Sequence, residues 1–95
     1  MNSSADPVIV RLPEILDLRA AAPLARELSS LRGVPVTLDA SHVTRIGGLC
    51  LQVLLSAQMT WRADDIALSL ARPSTAFLES AIAFGALPHP EASPV

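Results

Sequence analysis

Between Val34 and Leu70 the hydrophobic period of the chain changes from two to three-and-four and back to two. Val34, Val36 and Leu38 alternate with Pro35 and Thr37; Cys50, Val53, Leu54, Ala57 and Trp61 recur at helical steps; Ile66, Leu68 and Leu70 alternate with Ala67 and Ser69. Alternation sends successive side chains to opposite sheet faces, whereas steps of three and four line one face of a helix. The product is a strand, helix, strand unit, which returns to the same sheet by a right-handed crossover between parallel strands. That places the chain in the α/β class.

The flanks extend the pattern. Val8, Val10 and Leu12 alternate with Ile9 and Arg11, Pro13-Glu14 interrupts, and Ile15-Leu16 resumes, which reads as a strand, a tight turn and a short returning strand. Asp17 caps a helix with Ala21, Leu24, Ala25, Leu28 and Leu31 on its apolar face and Gly33 at its end. Pro23 lacks an amide proton, so the regular helix is expected to begin near it or kink there. Pro73-Ser74 opens a last helix through Phe77, Leu78, Ala81 and Ile82, stopped by Gly85. The expectation is a small α/β domain with a mixed sheet over residues 8–87. The small, polar, proline-bearing stretches 1–7 and 88–95 read as flexible tails.

Composition removes several function classes. The cations are seven arginines, spread singly and interspersed with nine acids for a net charge of −2, so no basic stripe for nucleic acid exists. The longest stretch without a charged residue, Ile46 to Trp61, contains two glycines and four polar residues, and falls short of the roughly 20 apolar residues that span a bilayer. No membrane insertion is expected, and no secretory signal is visible at the start, which makes the cytoplasm the expected compartment. A single cysteine excludes an internal disulfide.

Enzymatic constellations are scarce. There is no dinucleotide-binding glycine fingerprint, phosphate-binding loop or nucleophile turn. His42, His89 and Cys50 lie on separate segments and do not make a metal site. Cys50 falls in the first turn of a helix, where a thiol can be activated, but it shares the apolar stripe of Val53, Leu54 and Ala57 and reads more simply as core. Asp64-Asp65 reads as a solvated turn rather than an acid and base pair. Gly47-Gly48 either lets something approach the backbone closely or meets a need for positive φ. Leu51, Leu55 and Met59 form a second apolar series, offset by about 100° from the Cys50 edge. Either the last helix covers that series or it is a ridge for a partner.

The segments Val8-Ile9-Val10-Arg11-Leu12, Leu16-Asp17, Val36-Thr37-Leu38-Asp39 and His42-Val43-Thr44-Arg45-Ile46-Gly47-Gly48-Leu49 resemble the STAS family, the anti-sigma-factor antagonist fold. Leu68-Ser69-Leu70 and Pro73 to Leu87 continue the resemblance over nearly the whole chain. It implies a four- to five-stranded mixed sheet with three to four helices packed against it, and a protein-binding rather than catalytic role with no cofactor. Phosphorylated members carry Asp-Ser/Thr-Ser/Ala-Gly-Leu at the start of the second helix, where a partner kinase modifies a hydroxyl. Here the matching stretch is Gly47-Gly48-Leu49-Cys50-Leu51, and the two acceptor positions hold Gly48 and Leu49. No hydroxyl remains there, and Ser41 and Thr44 in the preceding loop read as turn residues.

The resemblance further implies a module of bacterial signal transduction, of the kind found as accessory proteins to the chemotaxis histidine kinase in alphaproteobacteria. Its expected partner is a kinase or a kinase-associated regulator. The expected binding residues are Ser41, His42, Thr44, Arg45, Gly47 and Gly48 of the loop, with Leu51, Leu55 and Met59 of the following helix. The alternative is a cytosolic STAS subunit regulating an ABC lipid transporter. Homodimerisation stays open.

Overall fold

The computed structural model describes residues 6–85, so the expected tails at 1–7 and 88–95 lie almost wholly outside the described residues. The chain runs β1 (Val8–Arg11), β2 (Ile15–Leu16), α1 (Leu18–Ser30), β3 (Val36–Asp39), β4 (Arg45–Ile46), α2 (Gly48–Ala63), β5 (Leu68–Ala71) and α3 (Thr75–Ala83). Strands β1, β3 and β5 form one sheet in that order, and β2 pairs with β4 in a separate ladder. All three pairings are parallel. The α/β class is that expected, the five strands and three helices fall within the expected four to five and three to four, and β4 lies in a stretch that reads as a loop.

Strand β3 reaches β5 through α2, the parallel crossover that the change of period demanded. Register sets Val10 beside Leu38 beside Leu70, and Val8 beside Val36 beside Leu68. These residues look toward the helices, and Val10, Val36 and Leu38 are buried in one cluster with Leu24 and Leu28 of α1, Leu51, Leu54 and Trp61 of α2, and Phe77 and Ala81 of α3. The intervening residues look the other way: Ile9 is 68% exposed, Arg11 and Ser69 are exposed and Thr37 is half-buried. Among the described residues one face of the parallel sheet is therefore open, whereas such sheets are ordinarily covered on both.

Two local expectations are corrected. Ile15-Leu16 does not return along β1 as a hairpin; it pairs with Arg45-Ile46, and the Glu14 carbonyl accepts from the amides of Thr44 and Arg45 at 2.8 and 3.2 Å. Pro13-Glu14 does not reverse the chain, since the Leu12 amide still donates to the Asp39 carbonyl at 2.9 Å. Nor does α1 wait for Pro23. It begins at Leu18, where the Asp17 carboxylate accepts from the Arg19 amide at 3.0 Å, and carries Pro23 inside it on the exposed side. Burial of Ala21, Leu24 and Leu28 together with the cap outweighs the one backbone bond that proline removes.

The far ends of α1 and α2 are tied together. Arg32 donates from Nε and Nη2 to the two Asp64 oxygens at 3.0 and 3.3 Å, and the Trp61 indole donates to the Val34 carbonyl at 2.8 Å. Trp61 is 3% exposed and belongs to the core. Asp64 thus serves the helix end, in keeping with a structural turn.

Candidate interaction site

The loop from Ala40 to Thr44 and the start of α2 are held by bonds from the end of β3, from β2 and the residue before it, and from the cap of α3. Asp39 ends β3 and accepts from the Ser41 amide at 3.0 Å, which turns the chain. The Ser41 hydroxyl and His42 Nδ1 lie 3.3 Å apart, and both residues are exposed. The Thr44 hydroxyl donates to the Glu14 carbonyl at 3.1 Å, and the Gly47 amide donates to the Leu16 carbonyl at 3.0 Å. Ser74 joins the loop to α3: its amide donates to the Ala40 carbonyl at 3.1 Å, its hydroxyl donates to the Val43 carbonyl, and its oxygen accepts from the Phe77 amide. Nothing in the sequence marked that double duty beyond the capping position of Ser74 itself.

Gly47 and Gly48 turn out not to serve positive φ, because the described glycines in that region of backbone space are Gly33 and Gly85. At Gly48 the reason is close approach. A Cβ there would lie 3.2 Å from the Phe84 ring, which rests on the helix start. Phe84 was not among the expected site residues, and only the structure brings it to Gly48.

The expected residues of α2 divide. Leu51 is 4% exposed and belongs to the core, so its assignment to an exposed ridge is corrected. Leu55 is 39% and Met59 72% exposed, and these two carry what remains of the ridge. Ser41, His42, Thr44 and Arg45 are exposed, and Gly47 and Gly48 are half-buried. Leu55 also lies at the lip of an apolar cleft of about 200 Å³ between α2, β5 and α3.

Cys50 is buried, and its thiol donates to the Asp17 carbonyl at 3.2 Å. Burial, and then the nearby Asp17 charge, push the thiol up from its ordinary value, the opposite of activation. Among the described residues no three His, Cys, Asp or Glu side chains gather as a metal site, and no helix is long and apolar enough to cross a membrane.

Asp39 is the buried carboxylate of the described residues, at 2% exposure. Hydrogen bonds from Ser41 and then the Arg72 guanidinium hold its carboxyl well below the usual carboxylate range, against the opposing effect of burial. Arg32 lowers the Asp64 carboxyl in the same way. With both folded values depressed, the unfolded chain binds more protons in acid than the folded one. The stabilisation is present above about pH 4, the unfolded carboxylate value, and is lost as pH falls toward the folded values. Melting temperatures followed by circular dichroism should therefore drop on acidification below about pH 4. Asp39→Asn should melt lower than wild type at neutral pH and show a shallower acid limb; an unchanged limb would remove Asp39 from this account.

Parallel strands joined through helices, and a pinned loop leading into a helix with part of its apolar face exposed, define a small α/β domain. A sequence profile of the family described as "Mlab, STAS domain" matches residues 1–86, and the chain belongs to the STAS family. STAS domains are generally non-enzymatic modules that mediate protein-protein interactions. No curated protein and no solved structure matches the chain.

Proposed function

We propose that this domain is a protein-protein interaction module of bacterial signal transduction, acting in the cytoplasm on a kinase or kinase-associated regulator of the sigma-antagonist or chemotaxis type. It binds through the loop residues Ser41, His42, Thr44 and Arg45, the Gly47-Gly48 helix start and the Leu55-Met59 edge of α2. The observation carrying this reading is Met59, a large apolar side chain 72% exposed on the helix that follows the loop. Arg45 makes none of the ion pairs found among the described residues and is available for a charged partner group. The module works without phosphorylation at the helix start, where Gly48 and Leu49 offer no hydroxyl.

That last feature also favours a second reading, a STAS subunit regulating the ATPase of an ABC lipid transporter, because such a subunit needs no acceptor hydroxyl. Affinity capture of the tagged protein from lysate of its source organism, with mass spectrometry of the bound proteins, separates the two. A signalling kinase or its regulator, lost when Leu55 and Met59 are both changed to Asp, is the expected result. An ABC ATPase copurifying with membranes would replace the first reading by the second. A partner whose capture ignores both substitutions would remove the site.

A further inference from the structure

The open face of the β1-β3-β5 sheet carries its own charge arrangement. Arg11 ends β1, Asp39 ends β3 beside it in register, and Arg72 follows β5 directly. Both arginines converge on one oxygen, with Arg72 Nη2 at 2.8 Å and Arg11 Nε at 3.8 Å from Asp39 Oδ2. The carboxylate is 3% exposed, while the arginine side chains are 68% and 72% exposed. Arg72 reaches back with φ at +49°, a conformation a non-glycine residue rarely adopts. Two guanidiniums share a single negative charge, so the cluster keeps a net positive charge with most of its N–H donors turned to solvent. Next to this edge lies the row Ile9, Thr37, Ser69, centred on a sheet face that no helix covers among the described residues.

We propose that this face is a second docking surface, separate from the α2 edge, and that its partner is an acidic protein segment. A carboxylate of that segment pairs with Arg11 and Arg72 while an apolar residue rests on Ile9. Charge complementarity selects the class of partner. Nucleic acid requires a basic stripe, and this chain has a net charge of −2 with its arginines scattered. A small anion would have to compete with Asp39, whose Oδ2 both guanidiniums already face.

The probe is a fluorescein-labelled amphipathic peptide with glutamates and leucines at helical spacing, with a lysine counterpart as control. At low salt the glutamate peptide should raise the anisotropy signal and move the backbone amide resonances of Ile9, Thr37 and Ser69, leaving those of Leu55 and Met59 in place. Arg11→Gln and Ile9→Asp should each weaken binding by about fivefold or more, Leu55→Asp should not, and added salt should weaken it further. Both changed positions are exposed, so native melting is expected, and the wild-type resonance map stands independently of them. Absence of binding, equal binding of the lysine peptide, or shifts confined to α2 would overturn the proposal. So would inorganic phosphate reproducing the shifts, which would make this a small-anion site, or Ile9-dependent dimers in sedimentation, which would make the occupant a second copy. None of these outcomes touches the α2 reading, whose test rests on Leu55 and Met59.

Discussion

Leu51→Asp is expected to unfold the domain, while Leu55→Asp and Met59→Asp leave it folded, although the three residues follow one another at single helical turns. The difference lies in what covers each. Leu51 is 4% exposed, set against the elements that bring Leu38, Phe77 and Ala81 together. Removing a buried leucine costs about 2–5 kcal/mol, and placing a carboxylate in its stead adds the penalty of an unpaired buried charge. Against a total stability of about 5–15 kcal/mol, that is enough to lose cooperative melting. Leu55 and Met59, at 39% and 72% exposure, sit where a charge stays hydrated, and their substitution should shift stability by no more than about 0.5 kcal/mol. Circular dichroism melts of the three variants check the ordering. A folded Leu51→Asp, or an unfolded Met59→Asp, would mean that the helix is rotated from the face described.

Trp61→Ala should be the most damaging single truncation at the other end of α2, by about 3–5 kcal/mol. The ring is 3% exposed, and its indole N–H donates to the Val34 carbonyl at 2.8 Å where the chain leaves α1 for β3. Trp61→Phe separates the two contributions. It keeps most of the apolar burial but leaves the Val34 carbonyl without this donor, at about 1–3 kcal/mol. Denaturant titrations of both variants should give this order. Equal losses would show that the hydrogen bond, rather than the ring, dominates the contribution of Trp61.

Much of this was legible in the sequence wherever a pattern ran long enough to repeat. The stripe Cys50, Leu54, Ala57, Trp61 pointed to the buried face of α2, and the alternations at Val8, Val36 and Leu68 marked the three strands of the main sheet. A two-residue strand carries no period. Ile15-Leu16 therefore showed its extended conformation but not its partner, which lies across the chain at Arg45-Ile46, in what reads as a loop. Leu51 was ambiguous for a different reason: its burial comes from tertiary packing that leaves Leu55 and Met59 exposed, and no local period separates the three. The candidate loop was placed by residue type, whereas its pinning by Ser74 and the Phe84 ring over Gly48 are tertiary contacts with no local signature.

The position of Cys50 gives the molecule a practical property. The native thiol is buried, engaged with the Asp17 carbonyl and pushed toward its protonated form, so alkylating reagents at neutral pH meet almost no thiolate. A cysteine placed at Ser41, Met59 or Ile9 would then be the reactive sulfur of the chain, with no need to delete the native one from the core. Spin labels, fluorophores or crosslinkers attached at those positions would report on the loop, the helix edge and the open sheet face one at a time, in a protein whose interior packing is untouched.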